Sequence, residues 1–254
     1  MTMAVAGCQT IQLPETAVAP AQDSLPIASA DTNDTDLRRE LDVYGEQYRA
    51  NPSNVDVAMR YAQALRRTGQ RAQAVAVLEK TSIANPHNKS VLGAYGRALA
   101  EAGSYEQALQ VLDRAHSPDQ PDWHILSAQG AVLDQMGRHG DAQRYYLTAL
   151  KIVPDEPSVL SNLGLSYALS KNLREAETTL RRAAAQHPVD ARVRQNLALV
   201  VGLQGRFAEA ESIARADLPA DEAAANAAYL KQMLAHRKDL RDTTRSARAD
   251  DGSN

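Results

Sequence analysis

Apolar residues along the middle of the chain recur at spacings of three and four, in paired segments separated by short polar turns. Tyr61 and Leu65 form one such stripe, and Val75 and Leu78 form the next. Side chains three and four residues apart lie on the same face of an α-helix. The pattern therefore predicts pairs of amphipathic helices, and each pair buries one shared face.

The helix pairs repeat at an interval of 34 residues. Small residues keep this interval in two series, where we expect the two helices of a pair to cross most closely: Ala62, Gly96, Gly130, Gly164 and Ala198, and Ala74, Ala108, Ala142, Ala176 and Ala210. Two further series mark the turns: Gly69, Gly103, Gly137, Lys171 and Gly205, and Pro52, Pro86, Pro154 and Pro188. Glycine ends the first helix of a pair in a left-handed conformation, and proline begins the next unit.

A helix pair of this size can bury its apolar face only against neighbouring pairs, which is typical of a solenoid. The sequence therefore predicts an all-α fold, a right-handed superhelical solenoid of about five helix pairs. The predicted pairs span 55–68 and 71–84, 89–102 and 105–118, 123–136 and 139–152, 157–170 and 173–186, and 191–204 and 207–217.

The repeat array is predicted to occupy residues 53–220, with a leading helix over 35–52 and a capping helix over 221–240. The terminal unit of a solenoid exposes an apolar face, and a helix with one polar side covers it. Residues 241–254 contain no apolar side chain larger than alanine, so we predict a disordered tail there.

The start of the chain carries a candidate lipidation site at Cys8. The string Val5-Ala6-Gly7-Cys8 matches the cleavage site of bacterial lipoproteins, in which the cysteine is acylated. Only seven residues precede Cys8 and none is Lys or Arg, whereas a signal peptide needs a positive start and an apolar run of about 7–15 residues. We therefore interpret residues 1–8 as a residual signal peptide and lipobox whose true start lies upstream. The alternative is a buried or incidental cysteine.

Residues 9–34 contain three prolines, many small or polar residues and no periodicity. Such a segment buries too little surface to order itself, so we predict a disordered tether. Gln9 stands where lipoproteins retained in the inner membrane of enteric bacteria often have Asp. The sequence therefore favours an outer-membrane lipoprotein that faces the periplasm.

Composition argues against several other classes of protein. The net charge is -3 with both signs interspersed, so clustered Lys and Arg for nucleic acid are missing. No run approaches the roughly 18 apolar residues of a membrane span. A lone cysteine forms no internal disulfide, and the six histidines lack metal-like partners. With no phosphate-binding loop or nucleophile motif either, we predict no metal, no cofactor and no catalysis.

Residues 162–188, NLGLSYALSKNLREAETTLRRAAAQHP, resemble the tetratricopeptide repeat, and the resemblance covers roughly residues 55–220. Two departures stand out. The large aromatic residue usual near the start of a unit is missing except at Trp123, and Asp217 stands where a small residue is normal.

By this resemblance, the first helix of each unit lines a concave wall that binds protein partners. The predicted groove residues are Met59, Gln63, Arg97, His124, Ser127, Ser158, Ser161, Asn162, Arg192, Gln195 and Asn196. Asn162 and Asn196 occupy equivalent places, where side-chain amides could hold the backbone of an extended peptide. The alternative is that each amide bonds within its own helix. The Lys and Asn set with which chaperone-binding members grip a terminal carboxylate is not reproduced, because Met59 and Gln63 stand in its place.

A more specific resemblance covers residues 121–170 and 181–234, which together look like the TadD family of lipoproteins in tight-adherence (Flp) pilus machines. Its most distinctive stretches are Asp134-Gln135-Met136-Gly137-Arg138 and Ala223–Met233. The resemblance implies an accessory factor that helps a secretion apparatus, in particular its secretin pore, to assemble at the outer membrane. A general cell-envelope assembly scaffold and a cytoplasmic regulatory adaptor subunit remain as alternatives.

Overall fold

The computed structural model describes residues 30–117, 119–186, 188 and 190–251. These residues form twelve α-helices and no strand longer than an isolated bridge. The helices are α1 Ala30–Ala50, α2 Val55–Arg67, α3 Arg71–Ala84, α4 Lys89–Glu101, α5 Tyr105–Asp113, α6 Trp123–Gln135, α7 His139–Ile152, α8 Pro157–Leu169, α9 Leu173–Ala184, α10 Ala191–Leu203, α11 Phe207–Ala214 and α12 Ala220–Asp251. The prediction of an all-α superhelical solenoid is confirmed.

The helices from α2 to α11 form five consecutive pairs, and each helix packs against the next along the chain. The first helix of each pair also contacts the first helix of the next pair, in the succession α2, α4, α6, α8 and α10, ending on α12. Within the described part of the chain, the backbones of second helices do not approach one another closely, although Arg181 on α9 donates to Glu209 on α11 at 2.7 Å. The stack therefore curves toward its first helices, which form the inner wall.

The first helices share a capping residue that keeps the 34-residue interval and that the sequence analysis missed. A side-chain oxygen at each position accepts a hydrogen bond from a backbone N–H two or three residues later, at 2.8–3.4 Å. The caps are Asn54, Asn88, Asp122, Glu156 and Asp190. The series is hard to see in the sequence because its residue type changes. Each cap satisfies a backbone donor that the first turn leaves free.

The two helices of a pair approach most closely at the small residues. A Cβ atom on Gly130 would lie 2.6 Å from the ring of Tyr146, which is almost fully buried. Gly96 against Leu112 and Gly164 against Leu180 repeat this geometry in the flanking units. The larger partner of each glycine fills the space between the helices, so the same packing contact recurs every 34 residues.

Several helix bounds differ from the prediction. α1 begins at Ala30 and not at Thr35, and α12 continues to Asp251, through residues predicted as a disordered tail. Residues 220–251 contain neither glycine nor proline, so the helix can continue past its packed part at little cost once it has nucleated. α5 ends at Asp113, ahead of a short bridge between Ser117 and Gln120.

The predicted lipobox, Cys8 and most of the predicted tether lie outside the described residues. Among the helices that are described, none is both long enough and apolar enough to cross a bilayer.

Candidate functional site

An open groove with a volume of about 800 Å³ runs along the inner wall of the solenoid. Its lining comes mainly from α4 and α6, and it extends to Met59 on α2 and to Asn162 on α8. The groove therefore crosses the first helices of four successive units. An elongated cleft of this kind fits a polypeptide segment better than a compact small molecule.

The structure brings together six of the predicted groove residues. Those that line the groove are Met59, Arg97, His124, Ser127, Ser158 and Asn162. The other five do not line it: Gln63, Ser161, Arg192, Gln195 and Asn196. Arg192, Gln195 and Asn196 belong to the fifth unit, whereas the open groove crosses only the first four units.

The residues outside the groove have other surroundings. Ser161 is buried between units. Arg192 is highly exposed and pairs with the cap Asp190 at 3.1 Å. Gln195 lines a second, smaller cavity of about 290 Å³ between α10, α11 and α12.

The two predicted amides bond neither within their own helices nor only to solvent. The Nδ2 of Asn162 donates to the Oγ of Ser127 at 3.3 Å, and that of Asn196 donates to Ser161 at 3.0 Å. Both bonds join the first helices of adjacent units. The interpretation of bonds within one helix is therefore wrong. One N–H of each amide fixes the register between two units.

Sequence reasoning missed several residues of the groove. Lys89 and Trp123 both line it, and both are the first residue of a first helix. The ring of Trp123 stacks on the imidazole of His124 with centroids 3.6 Å apart. Lys89 and Trp123 are 34 residues apart, so the repeat itself places them at equivalent positions and could have identified both.

The two acids of the groove are held by partners from the chain itself. The Nε of Arg66 donates to Glu101 at 2.7 Å, and a second bond makes the contact bidentate. Asp122 accepts from the backbone N–H of His124 at 2.8 Å and lies 3.0 Å from its Nδ1. Burial on its own raises the pKa of Asp122, but the hydrogen bonds from His124 outweigh it, and the net pKa is lowered. Asp122 therefore remains charged at neutral pH.

Arg97 lies in the middle of the groove and differs from these acids. No side chain or carbonyl in the described residues accepts a hydrogen bond from its guanidinium or forms an ion pair with it. Burial, and next the charge of Arg66, lower the pKa of Arg97, while Asp122 and Glu101 act in the opposite direction. Arg97 is thus a partly desolvated cation with free donors.

A polar network lies behind the groove at Asp134. Its carboxylate accepts hydrogen bonds from the Oγ of Ser166 at 2.7 Å and from the hydroxyl of Tyr146 at 3.1 Å. The Nδ1 of His139 lies 2.8 Å from it. Burial and the charge of Asp134 raise the pKa of Tyr146. The network ties α6 to α7 and α8, so its role is structural.

No group of three His, Cys, Asp or Glu side chains in the described ranges could hold a metal ion.

Comparison with known proteins agrees with this architecture. A family model described as tetratricopeptide repeat matches residues 69–130 and 135–200, and a second of the same description matches 57–80. A search of the curated proteins finds no match.

Solved structures share the fold at low sequence identity. PilW, a widely conserved type IV pilus biogenesis factor, has a TM-score of 0.65 at 16% identity, over 79% of this chain and 94% of its own. A thermophilic TPR protein from Thermus thermophilus has a TM-score of 0.59 at 20% identity, over 68% and 94%. The APC/C hetero-tetramer Cut9-Hcn1 has a TM-score of 0.60 at 17% identity, over 76% of this chain and 40% of that one.

Proposed function

The chain belongs to the tetratricopeptide repeat family, and we propose that it is a non-enzymatic scaffold that assists assembly of a Flp, or tight-adherence, pilus secretion machine. It does so as an outer-membrane lipoprotein that faces the periplasm, anchored through acylated Cys8. Its partners are proteins of that machine, with the secretin as the first candidate.

The observation that carries the scaffold function is the open groove across four units. Repeat proteins of this architecture are typical binders of other polypeptides, because stacking creates an extended concave surface. The groove combines apolar side chains such as Ile125 and Val132 with polar ones such as Ser127 and Asn162, which bond each other through one N–H of the amide. Main-chain and side-chain recognition of an extended segment needs this combination.

The pilus assignment is supported by the resemblance of residues 121–170 and 181–234 to the TadD family. PilW is described as a pilus biogenesis factor and has the same architecture, but at 16% identity the likeness concerns the fold. The lipid anchor is supported by the string that ends at Cys8 and by the composition of the residues that follow it.

The anchor can be tested by fractionating cells that express the gene from its native locus. Cys8→Ser should move the protein from the membrane fraction to the soluble fraction, while Ser24→Ala in the predicted tether should leave it with membranes. A Cys8→Ser protein that still sediments with membranes contradicts acylation. A wild-type protein found in the cytoplasm would favour the regulatory adaptor subunit instead.

The partner can be tested with a photo-crosslinking amino acid in cells that assemble surface fibres. We would place it at Ser127 in the groove and, as a matched control, at exposed Thr148 on α7. The proposal predicts a crosslink to the secretin or another pilus component from Ser127 alone. Crosslinks only to unrelated envelope proteins would instead support the general envelope scaffold.

A further inference from the structure

Arg97 is placed to contact whatever occupies the groove. Its guanidinium lies back over Gly93, one turn earlier on α4, where a Cβ atom would be 3.6 Å from Nη1. The same Cβ would be 2.6 Å from Ile125 on α6. The cation therefore lies at the narrow junction of α4 and α6, where position 93 itself leaves no room for a side chain.

The lining of the groove contains one more basic than acidic side chain. The lining contains three bases, Arg71, Lys89 and Arg97, and its two acids are Glu101 and Asp122. Arg66 holds the first acid, and His124 together with the start of α6 holds the second. Lys89 bonds the neutral amide of Gln120 at 3.0 Å, which leaves its charge intact. An occupant with negative charge is therefore complementary to the groove.

The shape of the groove indicates where in the partner this charge lies. The lining continues from Arg97 in both directions, to Met59 on α2 and to Asn162 on α8. A segment that contacts Arg97 can thus pass beyond it on either side, which fits an acidic side chain within the segment better than a chain terminus. Apolar walls beside the cation, formed by Ile125 and Ala128, suit apolar residues next to the acid.

We propose that the groove recognises an Asp or Glu side chain within an extended, otherwise apolar segment of a protein partner, and that Arg97 forms the ion pair with that acid. The inference rests on the proposed scaffold function and names the chemistry of the occupant. A guanidinium binds a carboxylate through two parallel hydrogen bonds, and partial desolvation strengthens the pair.

The test is selection of random peptides about 12 residues long, displayed through their C-terminal end on the nucleic acid that encodes them, against the immobilised full chain. This format offers no free terminal carboxylate. Affinities of the selected peptides are then measured by fluorescence anisotropy with the wild-type chain and with Arg97→Gln. The control is Arg144→Gln, the same change at an exposed arginine on α7. Circular dichroism checks that each variant is folded.

We expect selected peptides to share an acidic residue between apolar ones. Arg97→Gln should weaken their binding by about 10- to 100-fold, and Arg144→Gln should not. Replacing the peptide acid by its amide should weaken binding to the wild-type chain but hardly affect binding to Arg97→Gln, because the two groups are coupled.

Other outcomes overturn the inference. One such outcome is that the selected peptides lack an acid, and another is that they bind Arg97→Gln within about twofold of the wild-type affinity. Either result would show that the groove recognises a feature other than an acidic side chain, and would leave the scaffold function intact. Failure to select any peptide overturns the inference, and together with an absence of crosslinks from Ser127 it would overturn the scaffold function as well.

Discussion

Asp217 accepts two hydrogen bonds from the guanidinium of Arg194, one of them from Nε at 2.7 Å. This pair ties the chain just after α11 back to α10. Asp217 was singled out in the sequence as a departure from the repeat, because a small residue is normal at its position. The structure accounts for the departure, because Asp217 forms a bidentate ion pair that joins the end of the fifth unit to its first helix. The hydrogen bonds from Arg194 lower the pKa of Asp217.

Asp217→Asn should therefore destabilise the end of the array. The carboxylate side chain is 10% exposed and the arginine 28%, so we expect a loss of about 1–3 kcal/mol in the free energy of unfolding. Asp36→Asn is the matched control, because Asp36 and Arg39 form a pair in which both side chains are more than 70% exposed. Urea denaturation measures both. Equal effects of the two substitutions would contradict the structural role of Asp217.

Gly130→Ala and Gly140→Ala make the same change in one helix pair and should have opposite effects. A Cβ on Gly130 meets Tyr146 at 2.6 Å, and Tyr146 is buried and anchored to Asp134. Overpacking should cost about 1–3 kcal/mol. A Cβ on Gly140 meets nothing within 4 Å, so alanine should stabilise the helix by about 0.5–1 kcal/mol. Melting temperatures that move in the same direction would contradict this account of the close approach.

Lys171→Gly should stabilise the fourth unit. Lys171 occupies the turn between α8 and α9 with a φ of +67°, where the other four units have glycine. A left-handed conformation costs a residue with a side chain about 1–2 kcal/mol. Glycine removes this strain, but part of the gain is offset because glycine is more flexible in the unfolded chain. We expect a net gain of about 0.5–1 kcal/mol in thermal or urea unfolding. Gly137→Ala, at a φ of +73°, is the reverse experiment and should lower stability. A gain from that change would refute the explanation.

The stability of the last two units should depend on acid pH through Glu177. Hydrogen bonds from Arg206, the largest influence, and from Arg181 and Gln204 lower the pKa of Glu177 from 4.5 to about 2, although burial opposes them. A carboxyl group whose pKa is lower in the folded than in the unfolded state stabilises the fold at pH values above its unfolded pKa. That stabilisation is lost as the pH falls from about 4.5 toward 2.

Urea denaturation across this pH range checks the expectation. The free energy of unfolding of the wild-type chain should fall more steeply toward acid pH than that of Glu177→Gln. Glu106→Gln, at an exposed position on α5, should retain the wild-type slope. Parallel pH profiles for the wild type and Glu177→Gln would rule out this linkage.

Much of the fold could be predicted because its determinants are local and repeated. The spacing of Tyr61 and Leu65 indicates a helix without reference to the rest of the chain, and the interval from Gly96 to Gly130 indicates that the next helix pair repeats the same packing. Six groove positions followed from the same logic, since a residue in the first helix of a unit takes its direction from the helix itself.

The amino-acid sequence by itself determined the helix pairs, their period and the wall that faces inward, because helix periodicity and close approach at small residues are set within one unit. The tertiary structure alone decided which polar groups are used up and which are left for a partner. Asn162 reaches Ser127 across 35 residues, and Arg66 binds Glu101 across another 35. Arg97 therefore forms no ion pair within the described residues. These choices depend on the distances between stacked units, which result from the packing of the whole array.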